Sequence, residues 1–279
     1  MVGGANVDVK ARTTAPLVAA TSNPGTVVRT PGGVGRNVAE NLARLGSRVA
    51  LVSTIGSDPD GDWLVEQTAA AGVDMSPVLR GGQTGRYVAV LDAGGDLSVG
   101  VSDMAATDAL GPDVLDHDLI RSAALVVVDG NLPATTIDAV LALGVRVVVD
   151  PVSVAKAERI APLLRADRPV FAITPNEAEL VALGSVDGLH RRGVEVVWVR
   201  RGPAGSVLST PDGEVVLDAP SVVPVDVTGA GDAMLAAFCH GVLAGSSLED
   251  AARAGHEAAA LTVASPHTVR PDLGERMAR

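Results

Sequence analysis

The chain of 279 residues is poor in cysteine and in aromatic residues. Its single cysteine, Cys239, cannot form an internal disulfide, which excludes a disulfide-stabilised scaffold and favours a reducing compartment. Aromatic residues make up 2% of the chain, so aliphatic and small side chains must build the core. No apolar run reaches the roughly 18 residues that a membrane helix needs, and no basic stretch followed by an apolar core opens the chain. We therefore expect a cytoplasmic protein with no membrane partner.

Positive charge is also scarce. The sequence carries 22 Lys+Arg against 33 Asp+Glu, a formal net charge of −11. Such an acidic surface repels phosphate backbones, so the sequence predicts no nucleic-acid partner. Lysine occurs only at Lys10 and Lys156. Because Lys156 follows a predicted strand, its ammonium could neutralise phosphate charge, although a solvated lysine on a helix surface is an equal alternative.

The second half of the chain alternates short β-branched runs with segments of helical length. The runs at 125–129, 145–150, 170–174 and 194–200 predict strands, and 133–143, 154–164 and 176–183 predict helices between them. Continuous apolar strands joined by helices indicate a parallel sheet covered on both faces. The carboxyl ends of these strands meet at one edge, where polar residues follow them, so a ligand site is expected there.

The first half and the end of the chain have a different pattern. Segments 26–29, 86–91 and 96–101 predict antiparallel strands, which suggests a small β lid drawn from about 6–30 and 84–102. A further hairpin is predicted at 206–209 and 214–217, and two Ala-rich helices at about 230–244 and 248–263. No linker is evident, so residues 1–279 are expected to form one domain. Exposed lid edges often pair, which favours a homodimer.

The strongest local motif is Asp226-Val227-Thr228-Gly229-Ala230-Gly231-Asp232, a glycine-rich turn that leads into an apolar helix. Bare backbone N–H groups at a helix N-terminus can bind phosphate oxygens. Asp232 lies in the first turn, where it could accept the proton of an attacking hydroxyl. An ordinary glycine-rich helix start, with Asp232 serving only the helix dipole, is an equal alternative.

A second glycine-rich motif, Gly32-Gly33-Val34-Gly35-Arg36-Asn37, precedes a periodic helical stretch. Paired glycines allow a ligand to approach the backbone, and the Asn37 amide can both donate to and accept from a polyol. The spacing is not that of a Walker loop. Taken alone, the motif is more typical of a helix-capping turn than of a ligand site.

Together and in this order, the two motifs resemble the ribokinase-like (PfkB-type) carbohydrate kinases. The resemblance spans nearly the whole chain and extends to Asn6-Val7-Asp8, to Asn176-Glu177-Ala178-Glu179 and to Arg201-Gly202-Pro203-Ala204-Gly205. It implies a three-layer α/β/α fold with a mostly parallel central sheet and a small β-strand lid. It also implies ATP-dependent phosphorylation of a small sugar or nucleoside.

The resemblance further implies roles for individual residues. Asp232 would be the catalytic base, and Gly229, Ala230 and Gly231 the anion hole. Substrate hydroxyls would be held by Asn6, Asp8, Gly32, Gly33 and Asn37. Nucleotide-binding residues would be Asn176, Arg201, Gly202, Gly205 and Thr228, and Lys156 is added to them because of its position after a predicted strand. Glu179 would act near Mg²⁺, and Asp226, with the segment 265–270, would lie near a monovalent cation, K⁺.

Within the family, several segments are most similar to the pseudouridine kinases. They are 22–25, 30–43, 150–156 and 268–273. Phosphorylation of a ribose 5′-hydroxyl is therefore expected, with base choice assigned to lid residues around Tyr87 and Asp103. A kinase for ribose, fructose or adenosine, and a non-catalytic nucleoside-binding relative, are the alternatives.

Three positions depart from the family pattern. Few apolar residues precede Asn6, so we expect a shortened first strand or an upstream start. Val227 replaces the commoner threonine. His256 lies where some relatives place a residue near the adenine, although a helix-surface or packed histidine is favoured.

Overall fold

The computed structural model describes residues 1–278, and strands form two principal sheets. The strands are β1 (Asn6–Thr13), β2 (Gly25–Gly32), β3 (Thr54–Ile55), β4 (Leu79–Arg80), β5 (Arg86–Leu91), β6 (Leu97–Asp103), β7 (Val126–Asp129), β8 (Val147–Asp150), β9 (Val170–Ile173), β10 (Val194–Arg200), β11 (Ser206–Thr210) and β12 (Gly213–Leu217). The helices are α1 (Val34–Arg44), α2 (Pro59–Ala70), α3 (Ala105–Asp108), α4 (His117–Ser122), α5 (Ala134–Leu141), α6 (Val154–Ile160), α7 (Glu177–Leu183), α8 (Val186–Arg191), α9 (Ala230–Leu243), α10 (Leu248–Val263) and α11 (Leu273–Met277).

The main sheet has the strand order β12-β11-β10-β9-β8-β7. Strands β7 to β10 are parallel, and β10, β11 and β12 continue as an antiparallel meander. Asp129 and Asp150 are register partners at the ends of β7 and β8, so their carboxylates reach the same edge of the sheet. The alternation of β-branched runs and helices in the sequence arises because each parallel strand needs a crossover helix.

Residues 1–3 contact the main sheet through isolated bridges and do not form a strand. Val2 forms only isolated parallel bridges, to Val52 on one side and to Val128 on the other. Its N–H donates to Val127 O at 2.8 Å, and Val52 N donates to Met1 O at 2.8 Å. These two bridges carry the hydrogen bonding of the main sheet beyond β7 to Val52.

Helices cover both faces of the main sheet, as predicted. One face packs Ile137, Ile160 and Leu189 against the strands. On the other face, α9 and α10 pack around Trp198, whose ring centroid lies 4.9 Å from that of Phe238. Some predicted helices are longer than the observed ones: α6 ends at Ile160 and a 3₁₀ turn, Ala161–Leu163, replaces its last turn. Between residues 1 and 278 there is no helix long and apolar enough to cross a membrane.

The second sheet is the lid, with the strand order β2-β1-β5-β6. Strand β1 is antiparallel to β2 and parallel to β5, and β5 is antiparallel to β6. Asn6 does not end a strand but begins β1, an interior strand of the lid, because the alternation of polar and apolar residues continues to Thr13.

Candidate active site

Two adjacent cavities lie along the carboxyl edge of the main sheet, and the lid residues Asn6, Asp8 and Tyr87 line the smaller one. The larger has a volume of about 760 Å³ and the smaller about 250 Å³. Val34, Val152 and Asp232 line both cavities, so these three residues mark their junction. Val152 has a φ of 67°, a left-handed conformation that is strained for a β-branched residue, and its N–H donates to Asp150 Oδ1 at 2.9 Å.

The glycine-rich turn before α9 requires glycine at its N-cap. Gly229 has a φ of 79°, and a Cβ atom at this position would lie 2.0 Å from the carbonyl oxygen of Thr268. The turn therefore closes tightly against the segment after α10. The first N–H groups of α9 have no acceptor within the helix, which is a favourable position for an anion, although that of Ala230 donates to Val227 O at 3.3 Å.

Asp232 lies in the first turn of α9 and faces both cavities. Asn37 Nδ2 donates to its Oδ2 at 2.8 Å. Burial raises the pKa of Asp232 to about 7, although the Asn37 hydrogen bond and Arg200 favour the charged form. A carboxyl group with this pKa at the junction of two ligand cavities is suited to accept a proton near neutral pH.

Arg200 is a site residue to which our sequence analysis gave no role. It ends β10, and its guanidinium forms an ion pair with the buried Asp150, with Nη1 3.2 Å from Oδ2. The same nitrogen lies 3.4 Å from the carbonyl oxygen of Gly231 in the turn. The available signal was its position as the polar last residue of the strand predicted at 194–200.

Asn176 and Glu179 line the larger cavity and form the capping box of α7. The Asn176 side chain accepts from Glu179 N at 2.9 Å, and the Glu179 carboxylate accepts from Asn176 N at 2.9 Å. Glu179 is buried, and burial raises its pKa. The capping role accounts for the spacing of the two residues, and one Glu179 oxygen remains for another ligand.

The other end of the larger cavity is mostly apolar. Its lining there includes Val222, Pro224, Val227, Ala259, Ala260 and Val263, with the buried His256 beside them. His256 is a packed histidine, one of the two environments that the sequence favoured, and its Nε2 lies 2.7 Å from Ser206 Oγ. Gly202 and Gly205 also line this cavity. The cavity thus has an apolar end and a polar end, a division that suits a nucleobase and a polyphosphate.

The smaller cavity collects most of the predicted substrate residues: Asn6, Asp8, Gly33 and Asn37 line it, together with Tyr87, Met104, Thr107 and Asn131. Asn6 Nδ2 donates to Asp8 Oδ1 at 2.7 Å. Gly32 does not line the cavity, but a Cβ atom on it would lie within 2.3 Å of the Asp8 carboxylate, so glycine here leaves room for Asp8.

Comparison with known proteins decides the family. The family model described as pfkB family carbohydrate kinase matches residues 1–273. The chain belongs to this family. It is a phosphotransferase with a hydroxyl acceptor, a sugar or nucleoside kinase, and kinases of this family use ATP.

Three proteins illustrate the similarity. A pseudouridine kinase of Escherichia coli is 32% identical over 98% of this chain and 92% of its own length. A guanosine-inosine kinase of Exiguobacterium acetylicum is 28% identical over 95% of this chain and 94% of its own. The structure of an Arabidopsis thaliana ribokinase complexed with ribose and ATP has a TM-score of 0.81 and 24% identity, and the alignment covers 99% of this chain and 97% of that one. It has the same fold.

Several predicted nucleotide residues of this pfkB-family kinase do not line the larger cavity. Lys156 Nζ instead contacts Asn131 Oδ1 beside the smaller cavity. Arg201 forms an ion pair with Glu177 at 3.4 Å, and Thr228 lines the smaller cavity. These three residues therefore lie near the site without lining its larger cavity.

The surroundings of Asp226 do not fit the monovalent cation that the family resemblance implies. Lys10 Nζ lies 3.3 Å from Asp226 Oδ2, and Thr228 N donates to Oδ1 at 2.8 Å. Both carboxylate oxygens therefore have protein donors, and the Lys10 ammonium already supplies the opposite charge.

Proposed function

We propose that this kinase transfers the γ-phosphoryl group of ATP to the 5′-hydroxyl of pseudouridine. The observation that carries the proposal is the position of Asp232, which faces a nucleotide-sized cavity on one side and a polar acceptor cavity on the other. The choice of pseudouridine is supported by the similar pseudouridine kinase and by the matching segments in the sequence.

In the proposed reaction, Asp232 accepts the proton of the 5′-hydroxyl as its oxygen attacks the γ-phosphorus. A new O–P bond forms, the bond from the γ-phosphorus to the β,γ-bridging oxygen breaks, and ADP leaves with that oxygen. The N–H groups of the turn at Gly229, Ala230 and Gly231 stabilise charge on the transferred group. Val34 and the strained Val152 flank the junction of the two cavities, where the phosphoryl group would be transferred. They limit the access of water, which would otherwise compete as acceptor.

ATP is proposed to occupy the larger cavity with its adenine at the apolar end. Its phosphates then lie toward Asn176 and the turn. Mg²⁺ fits this polar end because it is commonly held by one or two carboxylates together with substrate phosphates, and Glu179 offers such a carboxylate. When bound, Mg²⁺ would neutralise phosphate charge there. The proposal includes no step through K⁺.

The ribose is proposed to occupy the smaller cavity. Asn6, Asp8 and Asn37 present carboxylate and amide groups that pair with ribose hydroxyls. Because buried polar groups would be left unpaired by an acceptor that lacks those hydroxyls, 2′-deoxy analogues should be poor substrates. Tyr87, on the lid, adds an aromatic wall for the base.

A second candidate is phosphorylation of a purine nucleoside, which the similarity to a guanosine-inosine kinase favours. The test is ADP release from ATP with Mg²⁺ against pseudouridine, uridine, guanosine, inosine, adenosine, ribose and fructose. We expect the highest kcat/KM for pseudouridine. A preference for guanosine or inosine would keep the mechanism and replace the substrate, and acceptor-independent ADP release alone would overturn the proposal.

A further inference from the structure

The Arg200 guanidinium is fixed at the polar end of the larger cavity. Nη1 and Nη2 lie 3.2 and 3.3 Å from the two oxygens of Asp150, a fork-like contact on a carboxylate that is buried. A Cβ atom on Gly231 would lie 3.3 Å from Nη1, so the guanidinium is in contact with the anion-binding turn. The side chain is only 14% exposed, which restricts it to this orientation.

The charges around this cavity make the position of Arg200 significant. Asp150, Glu179 and Asp232 place three carboxyl groups along its lining. Among the lining residues in the described part of the chain, Arg200 carries the one permanent positive charge. Lys156, the cation expected near the phosphates, contacts Asn131 instead. A polyphosphate entering this cavity would meet the Arg200 guanidinium as its nearest side-chain cation.

The hydrogen-bonding capacity of Arg200 is not exhausted by Asp150. A guanidinium has five N–H donors in a planar fork. Two of them donate hydrogen bonds, from Nη2 to Asp150 Oδ1 at 3.3 Å and from Nη1 to the carbonyl oxygen of Gly231 at 3.4 Å. The remaining N–H groups are available to an oxyanion beside the turn.

We propose that Arg200 is a catalytic residue, whose guanidinium donates hydrogen bonds to the phosphoryl group as it passes from ATP to the acceptor. The assignment rests on the proposed placement of ATP in the larger cavity. Arg200 takes no part in proton transfer: the acceptor proton goes to Asp232, and ADP leaves with the electron pair of the broken O–P bond. Asp150 is the positioning residue that holds the guanidinium in place.

The first test compares Arg200→Gln and Arg200→Lys with the wild-type enzyme in steady-state turnover. Loss of a charged donor to a phosphoryl transition state costs about 10²–10³-fold in rate, so kcat should fall by this amount for Arg200→Gln while the KM for ATP changes far less. Arg200→Lys should recover only part of the loss because it lacks the fork. A kcat within about twofold of wild type for Arg200→Gln would overturn the assignment.

A second test separates catalysis from neutralisation of Asp150. The Asp150→Asn/Arg200→Gln double variant removes both charges. If Arg200 only neutralises Asp150, the double variant should recover turnover. If Arg200 is catalytic, the double variant should remain as slow as Arg200→Gln. Thermal unfolding of each variant verifies folding. Guanidinium ion added to Arg200→Ala should restore part of the turnover in the catalytic case.

A third readout does not depend on the acceptor. ADP with fluoroaluminate resembles the transferring phosphoryl group, so Arg200→Gln should lose affinity for this complex while binding ADP alone as well as wild type does. Equal losses for both ligands would overturn the assignment. If the wild-type enzyme turns over none of the acceptors, the proposed substrate fails, but this comparison still decides the role of Arg200.

Discussion

The side-chain amide of Asn37 donates a hydrogen bond of 2.8 Å to Asp232 Oδ2, joining residues that are 195 positions apart in the sequence. Asn37 belongs to the glycine-rich motif before α1 and Asp232 to the turn before α9. The contact therefore brings the two motifs that indicated a kinase into one site. It also favours the charged carboxylate of Asp232.

Replacing Asp232 by Asn should abolish turnover and leave nucleoside binding largely intact. The amide is nearly isosteric with the carboxylate but cannot accept the hydroxyl proton. General-base catalysis contributes about 10²–10⁴-fold, so kcat should fall by at least this range. ADP release measures the expected loss of turnover, and calorimetry measures whether the affinity for the nucleoside is retained. Retained turnover would remove Asp232 from the role of base.

Turnover should depend on pH through Asp232. Its pKa is raised to about 7, and only the carboxylate form can accept a proton. The rate should therefore be constant above about pH 7 and fall about tenfold per pH unit below it. In Asn37→Ala, which lacks the hydrogen bond that lowers this pKa, the acid limb of kcat should shift to higher pH. A flat kcat profile between pH 5.5 and 8.5 in the wild type would contradict the role of Asp232 as base.

Gly229→Ala should lower stability and kcat by more than the strain of a left-handed alanine alone would, because its Cβ atom also clashes within the proposed anion-binding turn. The matched control is Gly245→Ala, because Gly245 has a similar φ of 83° but no atom within 4 Å of an added Cβ. Both variants place alanine in the left-handed region at a cost of about 1–2 kcal/mol. The added clash with Thr268 should give Gly229→Ala the larger loss of stability and a large loss of kcat. Equal losses of stability and full kcat in both variants would show that the tight turn is not required.

Sequence patterns reveal local structure well in this chain and distant contacts poorly. The parallel strands and the turn at Gly229 were predictable because β-branched runs and glycine spacing are local signals. The Arg200–Asp150 contact was not, because it joins residues 50 positions apart and neither neighbourhood specifies the other. Likewise, Lys156 was assigned to ATP from its position after a strand, whereas its partner Asn131 follows a different strand. The family resemblance supplied the remaining site residues.

The outer face of the lid should pair with a second copy of the chain. Val27, Val99 and Val101 are 53–71% exposed, and Val27 and Val99 are joined through register partners in β1 and β5, so they lie in one row across the sheet. The opposite face carries Asn6 and Asp8 toward the acceptor cavity. An apolar surface of this kind marks an interaction site.

Sedimentation at micromolar concentration should show a homodimer, and Val99→Asp should convert it to a monomer. The control is Val181→Asp, because Val181 is 79% exposed on α7, away from the lid, and its replacement should leave the dimer intact. A monomeric wild-type protein would contradict this prediction.

The central claim is tested most directly by letting pseudouridine, guanosine and ribose compete in equal amounts for limiting ATP, with the products followed by phosphorus NMR. Transfer to pseudouridine predicts one phosphomonoester signal coupled to the two 5′ protons of that nucleoside. A phosphomonoester on guanosine or ribose, or inorganic phosphate alone, would contradict it.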